Sequence, residues 1–145
     1  PGKGYSITYR APARVPKRPL ILRERSVCVT SWGDGYRLGS TMEFSGFDST
    51  LNERRLGALE RGARGYLHGP AGPEVRERWY GWRPMSRDDM PLIGRAPGTR
   101  RIWLNTGHGM MGVGMSTGSA QLLADMMAGS APSIDPAPYR PERFA

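Results

Sequence analysis

Apolar and polar residues alternate from Tyr5 to Tyr9, and Val27-Cys28-Val29-Thr30-Ser31-Trp32 is rich in β-branched and aromatic side chains; both stretches predict strands. Gly33-Asp34-Gly35 breaks the second run. Tyr36 to Phe44 is therefore expected to return antiparallel to residues 27–32 as a hairpin, in a meander and not a βαβ unit. Pro12 to Pro19 cannot donate to a regular ladder and reads as an exposed connection into Leu20-Ile21-Leu22. Thr50-Leu51-Asn52-Glu53 has capping-box spacing, and Leu56, Leu59, Ala63 and Tyr66 follow on one helical face. The pattern predicts a helix over about 51–67, weakened by Gly57, Gly62 and Gly65 at ~1 kcal/mol each relative to Ala, and ended by His68 to Pro73.

Two further strands are expected around Arg78 to Trp82 and Arg101 to Asn105, separated by a turn-rich stretch from Ser86 to Gly98. Ser116 or Thr117 can cap a second helix. In it Ala120, Leu123, Ala124 and Met127 form a stripe, Gly129 and Pro132 supply the stop, and Asp125 is the one charge. So little charge predicts a mostly buried helix. Ser130 to Ala145 is Pro-rich and expected to be irregular.

With 145 residues the chain suits one ordinary domain, and no apolar run approaches the ~18 residues of a membrane span. Twenty Gly and thirteen Pro predict many turns and short elements, while four Trp and six Tyr argue for packing. A lone Cys28 allows no intrachain disulfide, fits a reducing compartment and reads as a small buried hydrophobe. The charge of +8 is carried almost wholly by arginines scattered singly, as at Arg10, Arg37 and Arg78, which disfavours a nucleic-acid surface. The start at Pro1-Gly2-Lys3-Gly4 has no signal-peptide character and reads as the interior of a longer protein. His68 and His108 with one Cys match no common zinc spacing, so no metal is expected. Gly114 to Gly118 has the composition of a nucleophile elbow in the wrong frame, which argues against hydrolysis.

Gly107-His108-Gly109-Met110-Met111-Gly112 matches G-x-G-x-x-G between a strand and a helix. The dinucleotide motif needs a second strand after the helix, and here a Pro-rich tail follows, so a pyrophosphate turn is not expected. The physical point that remains is a set of backbone amides beside the positive end of a helix, where an anion is favoured. Glycines at 107, 109, 112 and 114 would let a flat ligand approach the main chain; the alternative is a loop that needs positive φ and binds nothing. Arg83, flanked by aromatic residues at a strand end, can hold a carboxylate through two parallel hydrogen bonds. The alternative for Arg83 is a structural ion pair with Asp88 or Asp89.

Four blocks resemble a known family: Pro1-Gly2-Lys3-Gly4-Tyr5-Ser6, Gly39-Ser40-Thr41-Met42-Glu43-Phe44, Trp82-Arg83-Pro84 with Asp89 to Gly94, and Asn105-Thr106-Gly107-His108-Gly109 with the helix after it. In that order they are similar to the C-terminal part of the FAD-dependent D-amino-acid dehydrogenases, of the D-amino-acid oxidase and glycine oxidase superfamily. The resemblance implies an α+β fold with a mixed, largely antiparallel sheet and two main helices, a partial D-amino-acid-oxidase-like fold lacking the N-terminal FAD-binding half. Residues 1–100 would belong to the substrate domain, 101–130 would give the closing strand, flavin-facing loop and C-terminal helix of the FAD domain, and 131–145 a tail.

The same resemblance implies FAD lying along Gly107, His108, Gly109, Met110, Met111, Gly112, Val113 and Gly114. The helix start would then stabilise the negative charge left when hydride reaches flavin N5. It implies Arg83 on the substrate carboxylate, and it raises Tyr5 as a pocket hydroxyl, against a packed strand aromatic. The reaction implied is oxidative deamination of a D-amino acid to a 2-oxo acid and ammonia. The implied partners are the D-amino acid, the missing FAD-binding half, and a quinone or other electron acceptor. The implied location is cytoplasmic, with peripheral attachment at the inner membrane face as an option. Nothing before Gly107 supplies the family's own FAD fingerprint, so the chain alone is expected to be inactive. The readings left beside this one are a non-catalytic remnant or interaction domain, and a basic nucleic-acid-binding domain.

Overall fold

Strand alternation at the chain's start runs further than the sequence pattern suggests. In a computed structural model, which describes residues 1–144, the first strand β1 (Gly2–Arg10) is buried from Gly2 to Tyr9. It lies inside a five-stranded sheet with β2 (Leu20–Leu22), β3 (Val27–Trp32), β4 (Gly35–Glu43) and β5 (Val75–Arg83), in the order β2-β3-β4-β1-β5. β3 and β4 pair antiparallel with Trp32 opposite Gly35, so Gly33 and Asp34 form the two-residue turn of the expected hairpin. Gly33 takes φ 46°, the left-handed conformation that such turns require.

Tyr5, Ile7, Tyr9, Val27, Val29, Tyr36 and Leu38 project from one face of this sheet into a core that Leu56, Leu59 and Ala63 of helix α1 (Glu53–Arg64) complete. Burying a leucine such as Leu59 contributes about 1.5–3 kcal/mol. The helix starts later than the capping-box reading places it. Asn52 is the cap, its side chain accepting from the Arg55 amide at 3.3 Å, while the Thr50 hydroxyl bonds Asp48 instead. Gly62 has a packing reason, because a Cβ there would come within 2.8 Å of Val27 Cγ2.

Register between β1 and β4 shifts near Lys3: Lys3 faces Glu43 and Tyr5 faces Ser40, so β4 carries one extra residue. Ser40 and Thr41 absorb it at φ 111° and 52°. This bulge resets the alternation, putting Glu43 on the face that carries Lys3 and Tyr5.

The chain divides into two compact units, one from Gly2 to Trp82 and one from Arg83 onward together with Pro1, whereas the sequence reading divides it near residue 100. In the second unit β6 (Leu92–Arg95) pairs antiparallel with β7 (Trp103–Thr106), and helix α2 (Gly112–Ala128) follows. β6 falls inside the stretch expected to be turns; it exists because β7 satisfies its backbone. α2 begins four to five residues before the expected cap, with Met111 at the cap position, and only Ser119 and Leu122 are buried. Of the expected stripe of Ala120, Leu123, Ala124 and Met127, Leu123 is half-buried and the other three are exposed, so the periodicity marks an apolar face but not the one that buries Ser119 and Leu122. The tail is not wholly irregular, since Ala137–Tyr139 and Pro141–Phe144 are 3-10 turns packed against β6. No helix among the described residues is long and apolar enough to cross a membrane.

Candidate functional site

Arg83 ends β5 and is half-buried. Immediately after it the Pro84 carbonyl accepts the Gly109 amide at 3.0 Å, and Met85 forms a single bridge with His108. Farther along, Leu92 to Arg95 pair with Thr106 to Trp103. The segment that follows Arg83 is thus zipped antiparallel to the strand and glycine loop at 103–109, within one compact unit.

Inside the loop, Gly107 and Gly109 take φ 79° and 53°. A Cβ on Gly109 would lie 3.2 Å from Asp89 Oδ1, so the glycine serves both conformation and close approach. His108 is half-buried, with Nε2 2.9 Å from the buried Ser119 Oγ of α2, which ties the loop to the helix it precedes. Gly112, Val113 and Gly114 form the first turn of α2 instead of continuing the loop. Unlike α1, this helix has no side-chain cap. Its first amides sit at the positive end of a 17-residue helix, flanked by Met110, Met111 and Val113, which are 64%, 60% and 92% exposed. An uncapped helix start beside exposed apolar side chains fits a flat ligand with an electron-rich edge, as the flavin ring of FAD is.

Tyr5 lies in the other unit, buried in its core at 1% exposure, and its hydroxyl donates to Glu43. The hydroxyl expected at a substrate pocket is engaged within the fold. Burial and that bond push the Tyr5 phenol up, and the same bond holds the Glu43 carboxyl below its ordinary value.

Two clusters escape a reading of the sequence alone. Lys3, fully buried, donates to the Thr50 carbonyl, lies 3.5 Å from Asp48 Oδ2, and sits 4.6 Å from the centre of the Tyr80 ring. The second cluster bears on Arg83. Asp88, one of its two candidate partners, is held by Arg143: Nε donates to Oδ2 at 2.8 Å and Nη2 to Oδ1 at 3.0 Å. Nη2 also donates to the Met90 carbonyl at 2.7 Å, and Asp88 Oδ1 accepts the Met90 amide at 3.1 Å. The Arg143 guanidinium holds the Asp88 carboxyl far below the usual carboxylate range. The one signal in the sequence was an arginine next to Phe144 in the Pro-rich tail.

Residues 1–126 match the family model described as FAD dependent oxidoreductase. The chain is 39% identical to D-amino acid dehydrogenase 1 of Mesorhizobium japonicum over 148 residues, covering 99% of this chain and 35% of that protein. It is also 39% identical to the glycine oxidase of Pseudomonas aeruginosa over 142 residues, covering 97% and 38%. Among solved structures, glycine oxidase from Geobacillus kaustophilus superposes with a TM-score of 0.83 at 24% identity, over 97% of this chain and 38% of that one. The L-proline dehydrogenase from P. horikoshii gives 0.79 at 18% identity, covering 99% and 40%. The chain spans a little over a third of the curated relatives it matches. A family match across most of the chain, the shared fold, and a glycine loop leading into an uncapped helix agree: the chain belongs to the FAD dependent oxidoreductase family.

Proposed function

We propose that this chain supplies the substrate-carboxylate anchor and part of the flavin-contacting surface of an enzyme that oxidatively deaminates D-amino acids to 2-oxo acids and ammonia. The observation that carries the reading is the zipper between Pro84-Met85 and His108-Gly109, which fixes the strand end bearing Arg83 against the glycine loop. The dehydrogenase and glycine oxidase relatives support the substrate class. Bound FAD would supply the acceptor for the two electrons and the hydrogen leaving Cα.

The rest falls to this chain's own residues. Arg83 grips the carboxylate with its guanidinium fork and so fixes which way Cα points. Gly107 and Gly109 keep side chains off the ligand-facing main chain. With flavin bound, the first amides of α2 would stabilise negative charge on it, and Met110, Met111 and Val113 would exclude water beside it. Tyr5 supports the sheet through Glu43. The remaining part of the FAD site would lie outside this chain, and a quinone or similar acceptor would take the electrons.

Titrating the 145-residue chain into FAD while following flavin fluorescence tests this. Saturable quenching is expected for the native chain and equally for Arg83→Ala, with D-alanine altering the flavin absorbance of the native chain alone. Unchanged fluorescence throughout would show that the loop does not hold flavin without the rest of the site. Equal responses of both proteins to D-alanine would remove Arg83 from the substrate.

A further inference from the structure

We propose that Arg143 is a positioning residue for the anion site at Arg83: by occupying both oxygens of Asp88 it withdraws a carboxylate that would otherwise compete with the substrate's own. The inference rests on the reading of Arg83 as the carboxylate anchor. Asp88 lies five positions beyond Arg83, on the segment zipped to the glycine loop. An uncompensated carboxylate there would bind the same guanidinium or repel the incoming anion. The structure gives that carboxylate another partner. Arg143 meets it with one bond to each oxygen, anchors on the Met90 carbonyl, and uses Nη1 to hold the Arg140 carbonyl at 3.0 Å. Its side chain is only 16% exposed, against 39% for Asp88, so this is a seated contact and not a loose surface pair.

The clasp also shapes the turn. Asp89, next to the clasped residue, takes φ 60°, and its carboxylate is what a Cβ on Gly109 would meet. Arg143 thus reaches the site by two routes, one of charge and one of backbone position. They predict different behaviour, because neutralising Asp88 relieves the first and leaves the second disturbed.

Benzoate is a suitable probe, a carboxylate read at pH 7 by the shift of the Arg83 side-chain Nε–H signal in a nitrogen–proton correlation spectrum, assigned with Arg83→Lys. Arg143→Gln is expected to weaken benzoate binding roughly tenfold, the effect of about one pK unit of competing charge. Asp88→Asn, which loosens the same clasp, is expected to bind at least as well as the native chain, and the double variant is expected to recover native affinity. Equal weakening by Asp88→Asn and Arg143→Gln would overturn the competition argument and leave a merely mechanical strap. Native-like binding by Arg143→Gln would overturn the role of Arg143 while leaving Arg83 in place. A native chain that shows no Arg83-dependent binding would overturn the anchor itself, and this proposal with it. If Arg143→Gln does not fold, weaker benzoate binding by Asp88→Asn alone would still overturn the competition argument.

Discussion

Lysine is rare in this chain, with only Lys3 and Lys17 among 21 basic residues, and the structure shows why one position needs it. A compact ammonium fits between the rings of Tyr5 and Tyr80 while reaching the Thr50 carbonyl and Asp48; a planar guanidinium on a longer stem would not. Lys3→Met should therefore lower the urea midpoint of unfolding, because it removes the buried ammonium's bond to the Thr50 carbonyl, its pairing with Asp48 and its contacts with two rings, and Lys3→Arg should not restore it. Lys17→Met, at an exposed position, should stay within about 0.5 kcal/mol of the native chain. In the sequence Lys3 stands outside the alternating run from Tyr5 to Tyr9 with nothing to mark it, since its partners Asp48 and Thr50 stand 45 and 47 positions away. Arg143 was hidden in the same way, 55 positions from Asp88. Arg83 and the glycine loop can be singled out because the features that mark them are local: an arginine at a strand end, and glycines before a helix.

Elements whose signal is periodic were readable: the β3–β4 hairpin and the stripe Leu56, Leu59, Ala63 stand where the pattern puts them. Those that exist through tertiary contact were not. β6 includes Gly94 at φ 139°, a residue that local propensity would never place in a strand, and it forms because β7 pairs with it while Pro141 and Met126 close over that glycine. α2 starts on Gly112 and Gly114, against helix propensity, which is why a cap at Ser116 or Thr117 looked better. Glycines in this chain therefore differ in kind, and substitution separates them. At Gly118, inside α2, a Cβ would meet nothing within 4 Å, so Gly118→Ala should stabilise by about 0.5–1 kcal/mol. At Gly72 a Cβ would collide with the Arg10 carbonyl oxygen and Tyr9 Cβ, so Gly72→Ala should destabilise. Opposite shifts in denaturant midpoint are the expected result.

For the molecule as a whole, titration on both sides of neutrality limits stability. Arg143 holds Asp88, Arg76 holds Asp34, the Thr50 amide and hydroxyl hold Asp48, and the Tyr5 hydroxyl holds Glu43, all below their ordinary values near 4. The unfolded chain takes up those protons first, so this stability is complete above about pH 5 and drains away as pH falls through the folded values. Burial pushes Tyr36 up to about 12 and Tyr9 further. The unfolded chain loses phenolic protons first, so stability is complete below about pH 10 and falls as pH rises toward 12. Urea unfolding from pH 2 to 11 should trace a plateau with both shoulders, and Tyr36→Phe should soften only the alkaline one. The position of β1 has a further effect on how such a chain acquires its structure. The first strand in the sequence ends up between β4 and β5, so neither of its edges is satisfied until residues 35–43 and then 75–83 arrive. Assembly of this sheet must close long loops before its central strand gains anything, which makes it a slow, high-contact-order fold with a hydrogen-bonding edge open to misdirected pairing until β5 seals it.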